Sequence, residues 1–244
     1  MKQYFCENPE ILTHEREISA NIFGKNLRFL TNNGLFSCNE IDDASRLLVE
    51  TIPPISGSFL DLGCGYGFIG IACACAKRTV IAGDMLPMPH VPSKPETSSG
   101  ANPDAGSMLS MPHVPARGAD ERPPVSETIF SLTMSDINRV ALDYAEKNVR
   151  LNNVPAKIIH SDSFEKIDET FDCITLNPPI HAGKETMYRM YEDAAAHLNP
   201  GGSFFVVIRK KHGAESTLKK FFEIFSRVEV LCKKKGCLVI RGGN

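Results

Sequence analysis

The sequence predicts an α/β fold: a doubly wound, mostly parallel seven-stranded sheet with helices on both faces. Three observations carry that prediction. Short apolar runs, from Phe59–Leu62 through to Cys237–Arg241, mostly alternate with segments of helical spacing, the rhythm of strand and crossover helix. One of them, in the stretch FLDLGCGYGFIG (Phe59 to Gly70), runs through an acid into a glycine-rich turn and then into an apolar helix. Finally, 244 residues at 42% hydrophobic and 23% charged are enough to cover such a sheet on both sides within one domain.

Taken in order, residues 1–57 read as a hairpin and lid region. Apolar alternation from Arg16 to Thr31 around Gly24-Lys25 predicts two strands joined by a tight turn. A loop, NNGLFSCNEIDD, ends in acids that favour a helix start, and Ile41, Leu47, Leu48 and Ile52 keep helical spacing until Pro53-Pro54 stops it. The central stretch follows. Glycines at 63, 65 and 67 tolerate positive φ and, lacking Cβ, let backbone N–H groups approach a ligand. The helix behind them, Phe68 to Lys77, adds a partial positive charge at its start. Strand, turn and helix together predict a nucleotide-type cradle built on Asp61, Gly63, Cys64, Gly65 and Gly67.

From Asp84 to Ser126 the composition shifts to Pro, Ser, Gly and Met, with a near-repeat of MLPMPHVPSK as MLSMPHVPAR. Proline at this density forbids helix interiors and central strands, so 84–126 is expected to be a flexible insertion in a single domain. His90 and His113, one per copy, read as a duplicated loop rather than a shared metal site. The insertion leaves two candidates for the acid that ends the second strand and holds a ribose: Asp84, about twenty residues past Gly65 as a dinucleotide fingerprint expects, and Asp136. Prolines follow Asp84. After Asp136, Val140, Ala141, Leu142, Ala145 and Val149 keep helical spacing, the crossover that a parallel sheet needs. Asp136 is the better choice. Ala156–Ile159 gives a third strand, and Asp162 beyond it suits either an adenine amino group or a helix cap.

Phe171–Leu176 reads as a buried strand ending in Asn177-Pro178-Pro179-Ile180. Carboxyl ends of parallel strands are where doubly wound sheets bind substrates. A planar amine is a poor nucleophile because its lone pair is delocalised. The Asn177 side-chain oxygen and the Pro178 carbonyl can each accept one of its N–H bonds and aim the lone pair. Met187–Leu198 is expected to be a helix ending at a C-cap in Asn199-Pro200-Gly201-Gly202, followed by a strand, Ser203–Ile208. An amphipathic helix with Leu218, Phe221, Phe222 and Phe225 inward comes next, and then an antiparallel pair at the sheet edge. Lys210, Lys211 and His212, just past a strand on the binding edge, suit RNA phosphates.

These motifs resemble class I S-adenosylmethionine methyltransferases. FLDLGCGYG resembles their motif I, and NPPIHAGK resembles the Asn-Pro-Pro-Phe-His-x-Gly form of small-subunit ribosomal RNA guanine-N2 methyltransferases. The likeness extends to Gly34-Leu35-Phe36-Ser37, with Asp42 and Ser45 following, a segment that in that family helps close the site. The resemblance implies a Rossmann-like fold, S-adenosylmethionine as cofactor, and ribosomal RNA or the small ribosomal subunit as substrate. It implies cofactor contacts at Asp61, Gly63, Cys64, Gly65, Gly67, Asp136, Asp162 and Asn177. The Asn177-Pro178-Pro179-Ile180 turn would hold the reacting amine, and Phe36, His181, Lys210 and Lys211 the substrate. One departure stands out: Ile180 occupies the place of an aromatic that stacks on the target base. Two enzyme alternatives remain. Adenine N6 or protein glutamine is also a planar amine, and a nicotinamide oxidoreductase would use Gly65, Gly67, Gly70 and Asp84. A non-catalytic RNA-binding protein is the third.

A net charge of −2 confines any nucleic-acid contact to a local basic face. Eight cysteines without paired Cys-x-x-Cys motifs predict no metal site, and Cys73, Cys75 and Cys173 read as small buried hydrophobes. The acids near the N-terminus and the lack of a long apolar run predict a cytoplasmic protein with no membrane partner.

Overall fold

The computed structural model describes residues 14–80 and 130–244, with backbone alone for 77–80. The insertion expected at 84–126, with Asp84 and both repeat histidines, lies outside the described residues. Strands β1 (Glu15–Ile22) and β2 (Lys25–Asn32) pair antiparallel, Ile22 opposite Lys25. The turn is therefore Phe23-Gly24 rather than Gly24-Lys25. Both residues have positive φ, 51° and 75°, which matches the right-handed twist of the strands that they join. Helix α1 (Asp43–Thr51) starts at Asp42, whose carboxylate accepts the Ser45 N–H at 2.8 Å, and ends just before the two prolines.

The main sheet uses β3 (Ser58–Leu62), β4 (Ser131–Asp136), β5 (Lys157–His160), β6 (Phe171–Leu176), β7 (Leu198–Arg209), β8 (Arg227–Lys234) and β9 (Cys237–Gly243). Its order is β5-β4-β3-β6-β7-β9-β8, parallel except for β9, which runs antiparallel to both neighbours. Helices α2 (Phe68–Val80), α3 (Arg139–Leu151), α4 (Lys184–Ala196) and α5 (Ala214–Ile224) make the connections. The seven-stranded α/β sheet is the one expected. From β3 the chain winds to β4 and β5 on one side, then crosses to β6 and β7 on the other. That reversal puts a crevice at the carboxyl ends of β3 and β6. Since α2 is still helical at Thr79 and Val80, no strand begins there, and the partner of β3 is β4, with Leu62 opposite Ser135. Asp136 thus ends the second strand.

Burial on both faces explains why the strands read as apolar runs. On β3, Leu60 and Leu62 enter the core with Tyr191, Phe204 and Phe221, while Phe59 joins Phe29, Ile71 and Ala145 on the other face. Two expectations fail near α4 and α5. Asn199-Pro200-Gly201-Gly202 is not a helix cap: α4 closes at His197, whose N–H reaches Asp193 and Ala194, and β7 already begins at Leu198. The register between β6 and β7 slips there, a bulge that tolerates a proline without a ladder N–H. A Cβ on Gly202 would meet the Phe171 carbonyl oxygen at 3.0 Å. Phe222 points to solvent at 68% exposure, because Phe221 and Phe225 already cover Phe204, with ring centroids 5.6 and 6.0 Å from it.

Candidate functional site

A cavity of about 460 Å³ opens at the carboxyl ends of β3, β4 and β6, within the size range of small-molecule sites. Gly63–Tyr66 after β3, Asp136–Asn138 after β4, Ser161–Ser163 after β5 and Asn177–Ala182 after β6 all line it. Phe36 and Ser37, from the loop after β2, complete the wall.

The glycine turn is held from below. Cys64 N–H donates to the Ser135 carbonyl at 2.9 Å, and Gly65 N–H donates to Asp136 Oδ2 at 2.8 Å. At Gly65, φ is +57° and an added Cβ would meet nothing within 4 Å, so backbone conformation rather than packing calls for glycine there. Gly67, at φ +95°, is tucked against Met134, whose Cε an added Cβ would reach at 2.6 Å. Gly67 does not line the cavity, nor does Asp61.

Asp61 stands apart from the other residues expected to touch the cofactor. It is fully buried and turns away from the cavity to accept the Gly70 N–H at 2.8 Å and the Thr175 hydroxyl at 3.2 Å. It ties β3 to α2 and β6, which makes it a positioning residue for the turn. Desolvation pushes its pKa up to about 7 against the hydrogen bonds that lower it. Burial likewise raises Asp136, opposed by bonds from Asn138 and Gly65, and holds the Cys64 thiol well above its ordinary range.

Asp136 does face the cavity; its Oδ1 also accepts the Asn138 N–H at 2.8 Å. No helix follows β5: Ser161 Oγ accepts the Lys166 N–H at 3.0 Å across a turn, and there is no helix end for Asp162 to cap. That leaves Asp162 to line the cavity, 3.6 Å from Arg189. Ser135 Oγ and Ser163 Oγ are buried in the lining with no hydrogen-bond partner among the described residues. Buried hydroxyls of that kind fit a polar ligand seated against them.

On the opposite wall, Asn177 Nδ2 donates to Ser45 Oγ at 2.9 Å and to Asp42 Oδ2 at 3.2 Å. Asp42 Oδ1 takes Arg209 Nη2 at 2.9 Å. Pro178, Pro179, Ile180 and His181 line the cavity beside Asn177, and Phe36 stands 47% exposed on its wall. Lys210 and Lys211 do not line it; their neighbours Arg209 and His212 do. Sequence reasoning gave no role to Ser135, Arg189 or Arg209. Arg209 was within reach of the rule that had pointed to Asn177, since it ends a parallel strand at the same edge.

Among the described residues no group of His, Cys, Asp and Glu can hold a metal ion, and no helix is long and apolar enough to cross a membrane.

YbxB of Bacillus subtilis, an uncharacterised protein, is 30% identical to this chain over 245 residues, which cover 98% of this chain and 97% of YbxB. Ribosomal RNA small subunit methyltransferase C of Mannheimia succiniciproducens is also 30% identical, over 71% of this chain but 39% of its own length. This chain thus spans about two fifths of that enzyme. In fold it is similar to T. thermophilus 16S rRNA N2 G1207 methyltransferase, solved with AdoMet and guanosine. The TM-score is 0.66 at 21% identity, over 95% of this chain and 51% of that one. The family model for the methyltransferase small domain matches residues 26–85 and 125–241, skipping most of the proline-rich segment. Since both the glycine turn and the Asn-Pro-Pro turn fall within those limits, and most of the chain with them, the chain belongs to the methyltransferase small domain family.

Proposed function

We propose that this chain is an S-adenosylmethionine-dependent N-methyltransferase whose acceptor is the exocyclic N2 amine of a guanine in small-subunit ribosomal RNA, and that it is one domain carrying an insertion at 84–126. One observation carries the reading. The Asn177 amide nitrogen is tied back to Ser45 and Asp42, so the side chain offers its oxygen to the cavity that the glycine turn also lines.

S-adenosylmethionine, when bound, supplies a methyl group activated by its sulfonium. The orphaned Ser135 and Ser163 hydroxyls and the Asp136 and Asp162 carboxylates give the cavity the polar partners that a nucleoside needs. Gly63, Cys64 and Gly65 bring backbone close to it, and Asp61 and Gly67 hold that backbone in place. The Cys64 thiol stays protonated and is no competing nucleophile.

On the acceptor side, Asn177 Oδ1 and the Pro178 carbonyl each take one N–H of the amine. Those two acceptors favour a pyramidal nitrogen with its lone pair directed into the cavity. No strong base is needed, since the nitrogen becomes acidic as its new bond forms and its proton then leaves to solvent. Positioning supplies most of the acceleration. Ile180 and Phe36 flank the base, and His181, Lys210 and Lys211 meet the RNA backbone. The names of the curated relatives and of the solved neighbour support ribosomal RNA and guanine.

Ile180 favours one second reading, a planar amine that does not need stacking, such as adenine N6 or protein glutamine. Labelled S-adenosylmethionine offered with small ribosomal subunits, naked RNA and ribosomal protein separates them. N2-methylguanosine in the digested RNA is expected; label in adenosine or in protein would overturn the guanine assignment.

A further inference from the structure

We propose that Asp42 is a positioning residue for methyl transfer: it selects the one orientation of the Asn177 amide in which the oxygen, and not the NH2 group, faces the substrate. The inference rests on the reading of Asn177 as an acceptor for the amine.

An Asn side chain is nearly symmetric in shape, so packing alone hardly distinguishes its two amide orientations. Hydrogen bonding does. An ionised carboxylate is an acceptor only, and the group facing it must be a donor. Asp42 Oδ2 stands 3.2 Å from Asn177 Nδ2, and the flipped amide would set oxygen against oxygen there. Ser45 Oγ, 2.9 Å from the same nitrogen, cannot enforce the choice, because a hydroxyl turns to donate or to accept.

Asp42 itself is fixed from two sides. Its Oδ2 accepts the Ser45 N–H as the cap of α1, and its Oδ1 accepts Arg209 Nη2 from the end of β7. Its side chain is only 8% exposed, which shields the pair from water. The residue that starts α1 thereby sets the chemistry at the end of β6.

The test is a double-mutant cycle between Asp42→Asn and Asn177→Ala, read as methyl transfer to small ribosomal subunits. With its oxygen kept on Arg209, the stronger charge-assisted partner, the new side chain puts its NH2 group where Oδ2 stood, facing Asn177 and stabilising the inverted amide; the Ser45 N–H shares that position and loses its cap. Asp42→Asn should slow transfer by about 10- to 100-fold, the scale of one charge-assisted hydrogen bond. S-adenosylmethionine affinity should stay near wild type, the melting temperature should fall by no more than one lost helix cap explains, and in calorimetry guanosine should bind more weakly. In the Asn177→Ala background the same change should cost less than about 2-fold, because the amide through which it acts is gone.

Full activity of Asp42→Asn, or losses that multiply in the double variant, would overturn the proposal while leaving Asn177 as an acceptor. Wild-type transfer by Asn177→Ala would instead overturn the reading of the site and this inference with it. If Asp42→Asn fails to fold, Asp42→Ser, which keeps a capping oxygen but no carboxylate, carries the same expectations.

Discussion

Replacing Asp61 with Asn should make the protein much more stable at pH 8 and only modestly more stable at pH 4.5. Folding raises the pKa of this carboxyl from 3.8 to about 7, chiefly through desolvation. A group with a raised folded-state pKa contributes fully below its unfolded pKa. The contribution is lost as pH climbs, and above the folded pKa nothing of it remains. Three units at 1.36 kcal/mol each make that loss roughly 4 kcal/mol. Asn mimics the protonated acid: its oxygen can still accept from Gly70 N–H, and its NH2 group can donate to Thr175 Oγ1. The variant should therefore exceed wild type by up to about 4 kcal/mol at pH 8, falling to about 1 kcal/mol at pH 4.5. Urea denaturation at the two pH values measures both gaps. A gap that does not change with pH, or a variant weaker than wild type at pH 8, would refute the claim that Asp61 carries a buried charge.

Two further outcomes follow from the cavity. Asp136→Ala should weaken S-adenosylmethionine binding in calorimetry by about 1–3 kcal/mol, through lost charge-assisted bonds and a released Gly65 N–H; normal binding, with loss in Asp84→Ala instead, would reassign the ribose acid. Ile180→Phe should maintain or raise methyl transfer through base stacking of about 1–3 kcal/mol, and abolished turnover in a folded variant would mean that the pocket takes a different acceptor.

The sheet was legible because parallel strands buried on both faces leave unbroken apolar runs. Crossover helices could separate Asp136 from Asp84, since prolines cannot form one. Asn199-Pro200-Gly201-Gly202 misled because the same residues that end helices also make strand bulges, and only the pairing of β6 with β7 tells them apart. Phe222 shares the helical spacing of Phe221 and Phe225, but how wide a stripe the sheet covers is a tertiary fact. The partners of Asp61, Gly70 and Thr175, were not legible, because the pleat decides whether a strand-end side chain faces a cavity or a helix. The links from Asp42 to Asn177 and Arg209 bridge 135 and 167 positions, beyond the reach of any local pattern.

The acceptor role of Asn177 is tested most directly by the rate at which Asn177→Ala methylates small ribosomal subunits at saturating S-adenosylmethionine. The expected rate is lower than wild type by roughly 100-fold or more, the scale for removing one preorganised polar group, with cofactor affinity unchanged. A wild-type rate would contradict the account and reduce the Asn-Pro-Pro turn to a piece of structure.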